Sequence, residues 1–354
     1  MSNVVALRRS RPAAHDEAIP ALVDLFAQRR RGRHDAFWLK ENAELLQILA
    51  ALDLRTGLDA ELLGQHALGL RQELAFFPQY YRMFLSLAVD LHALGVPGVP
   101  VEAMADFVQA EGLADVELSD THRGEALLLL RRSGRNLRDT ALEDRLAAFA
   151  RRSQAFCLPN RRAAYDLTHI VFHATDYGRV QVARDADRRL SLIHAGMVAW
   201  LEDNLDLLAE VTLALRLSGE DVPAAWADAV VKGAVTVSFE PGQMAGAFDD
   251  DYHQYLVLNW AVGLSGGDAF QAVVPATARL IRQPARQGSA LRELSVALLE
   301  MGEGRLPNWE RMRWRVWSRL SEQSRTRLAV LEAMPEFEGF FAGFSRARQV
   351  RGAM

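Results

Sequence analysis

His169, His173 and Asp176 stand at i, i+4 and i+7 of the stretch 168–176, the spacing that puts side chains on one face of a helix. Two imidazoles and a carboxylate on one face can bind a transition metal. The same set can instead run proton transfer, with the carboxylate fixing one imidazole's tautomer and raising its basicity. A second ionisable cluster, Asp249, Asp250, Asp251, Tyr252 and His253, lies downstream, and a chain that closes on itself would bring the two together. On this reading His169, Asp176 and His253 are the catalytic candidates. His173, Asp251, Tyr252 and Trp260 are the ligand-contacting ones. If a divalent metal is the cofactor, its ligands come from His169, His173, Asp176 and His253. A bland alternative stands beside each. His169 can bond a backbone carbonyl, Asp176 can cap a glycine turn, and aspartates 249–251 can open a helix at its positive end.

Composition narrows the classes of protein. The 354 residues are 50% hydrophobic and 24% charged, enough to bury a large core. A formal charge of −4 gives no bulk attraction to nucleic acid, although arginines gather at 29–33, so no nucleic-acid partner is expected. Cys157 is the single cysteine, which rules out an intramolecular disulfide and a thiolate zinc site and points to the cytoplasm. No stretch reaches the 18 or so apolar residues of a membrane span.

The elements that must position these residues are helices. Amphipathic stretches ending in glycine recur at Glu44–Gly57, Tyr80–Gly95, Gly124–Gly134, Ala163–Gly178, Asn204–Gly219, Asp251–Gly266 and Leu291–Gly302. Their spacing is that of a helical hairpin, and glycine just past a helix is a common left-handed cap. Pro97, Pro100, Pro159, Pro223, Pro241, Pro275, Pro284 and Pro307 fall between the stretches. The best strand signal, 234–239, has no partner of similar quality. The expectation is one all-α domain of about seven hairpins over residues 18–345, with a flexible arm at 1–17 and a frayed tail at 346–354. The hairpins vary in length and share little consensus. That favours a closed (α/α) toroid of inner and outer helices over an open α-solenoid.

A resemblance follows from the same residues. Tyr165, Leu167, Thr168, His169, Phe172, Thr175, Asp176, Tyr177 and Gly178, with Asp251, Tyr252, His253, Leu256, Val257 and Trp260, resemble the paired motifs of a functionally uncharacterised group of bacterial proteins. The hairpin pattern is similar to the toroid superfold of terpenoid cyclases, prenyltransferase β-subunits, lanthipeptide cyclases and helical glycosidases. Fold likeness does not carry chemistry across, and a chain with Cys157 alone departs from the lanthipeptide cyclase zinc site. The functional expectation is a central His/Asp pocket acting on a small or peptidic metabolite. One alternative is a non-catalytic scaffold for a protein or peptide partner. Another is a magnesium-dependent prenyl transferase or terpene synthase-like enzyme using the aspartate run.

Overall fold

A computed structural model describes residues 14–55, 58, 60–242, 250–284 and 288–347. The first half of the chain forms α1 (Ala14–Asp24), α2 (Ala36–Ala51), α3 (Ala60–Ala67), α4 (Leu70–Phe76), α5 (Tyr81–Ala93), α6 (Val101–Ala110), α7 (Asp120–Arg132), α8 (Thr140–Ala150) and α9 (Arg161–Ala174). The second half forms α10 (Ala186–Glu202), α11 (Leu205–Leu217), α12 (Ala224–Val235), α13 (Tyr252–Leu264), α14 (Ala290–Glu300), α15 (Trp309–Trp317), α16 (Glu322–Glu332) and α17 (Phe337–Phe344). The protein is predominantly helical. Among the described residues the sheet is limited to β1 (Ser238–Glu240) paired antiparallel with β2 (Leu280–Arg282), with Phe239 opposite Ile281. Ala234 and Val235, read from sequence as part of a strand, instead end α12. Its partner, only three residues long, was too short for an alternation pattern to reveal.

Short polar side chains start the helices that matter for the site. Asp35, Asn160 and Asn204 precede α2, α9 and α11 and accept from the amides of Phe37 (2.8 Å), Ala163 (3.1 Å) and Leu207 (3.2 Å). Each satisfies a donor that the first turn would otherwise leave orphaned. At the other ends, Gly95, Gly134, Gly178, Gly219, Gly266 and Gly302 have positive φ, as the glycine-ended stretches predict. The arm and tail fall mostly outside the described residues, and α1 begins at Ala14.

Packing is ordered in an alternating way. α2 packs on α5, α5 on α7, α7 on α9, α9 on α11 and α11 on α13, and α13 returns to α2. α6, α8, α10 and α12 pack behind this circuit, and α14 and α16 pack on α10. The deepest member is α11, where every residue from Leu207 to Leu215 is buried. A helix that is apolar all round belongs inside. α10 sits close to it through Gly196, where an added Cβ would lie 2.4 Å from the Trp226 ring and 3.1 Å from Val211. Gly196→Ala is therefore expected to lower stability by up to about 2 kcal/mol, because overpacking outweighs the gain in helix propensity. Gly339 in α17 has nothing among the described residues within 4 Å of such a Cβ, so Gly339→Ala should instead stabilise by up to about 1 kcal/mol. Urea denaturation of both variants checks the opposite signs.

Candidate functional site

The α2–α5–α7–α9–α11–α13 circuit surrounds a cavity of about 550 Å³, and each helix contributes a polar side chain to its wall: Glu44, Arg82, Glu125, His169, Glu210 and His253 in turn. The densest chemistry lies where α9, α11 and α13 meet. Asp206 and Glu210, one helical turn apart on α11, face His253 of α13. His253 Nδ1 lies 2.7 Å from Asp206 Oδ1, and its Nε2 lies 3.8 Å from Glu210 Oε1. The second oxygen of each carboxylate is held from α9. The Tyr165 hydroxyl donates to Asp206 Oδ2 (2.5 Å), and the Thr168 hydroxyl lies 2.5 Å from Glu210 Oε2. Oδ1 and Oε1 are thereby left toward the imidazole. One ligand atom from each of Asp206, Glu210 and His253 lies within 4.8 Å of the others.

The electrostatics follow from crowding two carboxylates with little water. Burial works against the His253 charge, but Asp206, with help from Glu44 and Glu210, lifts its pKa to about 10. Burial likewise tends to raise Asp206, and the neighbouring His253 outweighs it, so this carboxyl sits below its ordinary range. Glu210 goes the other way. Its side chain is only 2% exposed, and burial raises its pKa despite His169 and His253. The Thr168 hydroxyl also lies 2.9 Å from the Tyr165 carbonyl, and one hydroxyl proton cannot serve both oxygens.

His169 lines the cavity with 41% of its side chain open. Its Nδ1 lies 2.8 Å from the Tyr165 carbonyl and 3.6 Å from Glu210 Oε2. A carbonyl only accepts, which assigns the ring proton to Nδ1 and leaves the lone pair on Nε2. His169 and His253 thus stand on either side of Glu210. His173 and Trp260 also line the cavity, both buried, and neither finds a polar partner for its ring nitrogens among the described residues. Trp260 packs on Phe172 and Tyr177 at 5.0 and 5.9 Å between ring centroids. Tyr252 stands behind the wall, its hydroxyl donating to Glu44 (3.0 Å) and accepting from Lys40 (2.8 Å).

Two of the sequence-derived residues point elsewhere. α9 ends at Ala174, so Asp176 does not continue the His169–His173 face. It lies in a turn with φ 44°, 3.6 Å from Arg132 and 3.5 Å from Arg179, and is not part of the cavity wall. Asp251 accepts from the Gln283 amide (2.9 Å), and Asp250 accepts from the Ile281 amide (2.8 Å) and pairs with Arg30. Both aspartates brace β2 and its flank and leave the cavity wall to other residues. Asp249 lies outside the described residues. Contiguous His and Asp clusters do not point to Asp206 and Glu210. Their signal was present in Leu-Asp-Leu-Leu-Ala-Glu-Val, two acids one turn apart in a helix otherwise apolar on every side.

These features define a helical protein with a polar cavity bordered by six of its helices. Over residues 1–347 the chain matches the family described as Domain of unknown function (DUF6902), and it belongs to that family. No curated protein and no solved structure gives a match.

Proposed function

We propose that the protein is an enzyme built as a closed (α/α) ring, with a divalent transition metal held at the edge of its central cavity by Asp206, Glu210 and His253. The return of α13 to α2 supports the closed form over an open solenoid. The observation that carries the metal is the ligand set itself: two carboxylates and an imidazole with their donor atoms within 4.8 Å, where a bound cation would displace the protons favoured on His253 and Glu210. Bonds of about 2 Å from a shared ion span such a gap. Tyr165 and Thr168 hold the far carboxylate oxygens in the manner of the outer contacts that orient metal ligands. Mixed oxygen and nitrogen donors suit zinc, iron or manganese better than magnesium, which prefers oxygen and water. Asp250 and Asp251, engaged elsewhere, give no support to an aspartate-rich magnesium site of the prenyl-transfer kind.

A bound ion of this type supplies Lewis acidity and an acidified water. His169, with its tautomer set by the Tyr165 carbonyl, offers Nε2 as the proton acceptor beside it. A cavity of about 550 Å³ fits a small polar metabolite. The reaction class supported best is metal-assisted hydrolysis or proton abstraction.

The test is metal content by mass spectrometry of protein purified without chelator, followed by melts of chelator-treated protein with added zinc, manganese, cobalt or ferrous ion. About one equivalent of metal is expected. A concentration of a hundred times Kd should stabilise by about 2.7 kcal/mol. Glu210→Gln and His253→Ala should abolish both effects, and His169→Gln should leave the metal bound. A wild-type protein that carries no metal and melts unchanged at millimolar concentrations of all four overturns the proposal.

A further inference from the structure

His173 has a second side. Besides the central cavity it lines a separate one of about 280 Å³ between α7, α8, α9 and the start of α10. Only 6% of His173 is exposed, and both its ring nitrogens lack a partner among the described residues. A buried imidazole with no hydrogen bond is costly and calls for an account. The wall around it is apolar, with Leu142, Leu146, Ile170 and Val171.

Charge at this cavity is unbalanced once existing pairs are removed. Asp139 caps α8 and lies 3.6 Å from Arg123, and Asp185 caps α10 and holds Arg151 at 2.7 Å. Glu143 is bound by Arg138. Arg131 and Arg188 stay outside any ion pair among the described residues. Arg188 donates only to the Ala183 carbonyl (2.7 Å), and its Nε is buried without a partner.

We infer that this cavity is a second ligand site, for a small carboxylate with a hydrocarbon body. The body lies on the α8–α9 apolar wall, the carboxylate meets Arg188 and Arg131, and His173 supplies a polar contact at the inner end. This inference is independent of the metal. It needs neither Asp206 nor Glu210, and nothing in its test reads metal binding.

The experiment titrates straight-chain carboxylates from butanoate to decanoate, with the matching alcohols, into the full chain by ligand-observed NMR and thermal shift. Affinity should rise about fourfold per methylene until the cavity is full, and carboxylates should bind at least tenfold tighter than alcohols. Leu146→Trp, which fills the cavity, should weaken binding at least tenfold. Arg188→Met, which keeps the length of the side chain and removes its charge, should remove the preference for carboxylate over alcohol. Absence of saturable binding, equal binding of alcohols and carboxylates, or unchanged binding by a folded Leu146→Trp protein overturns the inference.

Discussion

Arg30→Met is expected to lower the stability of the protein by about 3–5 kcal/mol, the largest effect of any single change considered for this fold. Arg30 lies just before α2, and its guanidinium is buried. Nε donates to Glu41 (2.9 Å), Nη1 donates to the Arg279 carbonyl (2.9 Å), and Nη2 pairs with Asp250, just before α13. The charge also rests over the rings of Phe26 and Tyr252, at 4.8 and 5.4 Å. Burial disfavours the cation, but Glu41 and Asp250 more than offset it and its pKa is raised. Removing it leaves Asp250 a buried anion with the Ile281 amide as its one partner among the described residues, whereas Glu41 keeps Arg31 at 2.6 Å. The residue therefore clasps the first and last helices of the α2-to-α13 circuit. Adding Asp250→Leu to Arg30→Met should recover part of the loss, because the stranded charge goes with it. Chemical denaturation of the single and double variants measures this. A loss below about 1 kcal/mol for Arg30→Met would show that the clasp is dispensable.

The same clasp explains how the aspartate run reads in sequence. Three consecutive acids beside Tyr252 and His253 suggest a ligand-binding face or a helix start, and only packing shows that Asp250 answers an arginine 220 residues away. Long-range pairs leave no local pattern. The helices were more legible, because the apolar period and the terminal glycine are local. Six of the seven glycine-ended stretches correspond to α2, α5, α7, α9, α11 and α13, the members of the circuit, and the seventh to α14. Periodicity finds a helix without saying which layer it joins, so α14 looked like the others. The i+7 extrapolation to Asp176 failed for a similar reason. Thr175, whose hydroxyl lies 2.8 Å from the Val171 carbonyl, ends the helix, and the backbone then turns to positive φ at Asp176 and Tyr177. His169 and His253 were visible because a polar ring on an apolar helix needs a partner. Their acidic neighbours, Asp206 against His253 and Glu210 between the two rings, are hidden inside a run of leucine, alanine and valine.

Acidification should destabilise the protein between about pH 6.5 and 4 through His66. This imidazole is fully buried on α3, stacked on Trp38 at 5.6 Å, and its Nε2 donates to Asn42 Oδ1 (2.8 Å). Asn42 is itself fixed, donating to the Phe26 and Trp38 carbonyls, so its oxygen is the acceptor and the ring is neutral with the proton on Nε2. Burial, and then the positive charge of Arg33, lower the pKa from 6.5 to about 4. The sign follows from linkage. Above pH 6.5 neither the folded nor the unfolded ring binds a proton, and the stability is fully present. As the pH falls toward 4 the unfolded chain takes up a proton that the folded one refuses, and about 3 kcal/mol is lost. Other histidines contribute too, His173 in the same direction and His253, with its raised pKa, in the opposite one. The measurement is therefore a difference: urea-unfolding free energies of wild type and His66→Gln at pH 7.5 and pH 4.5. His66→Gln should be the less stable at pH 7.5, where the stacked ring is lost, and should lose at least 2 kcal/mol less than wild type on acidification. Parallel pH profiles would mean that His66 titrates alike in the folded and unfolded chains, and the neutral buried ring would have to be abandoned.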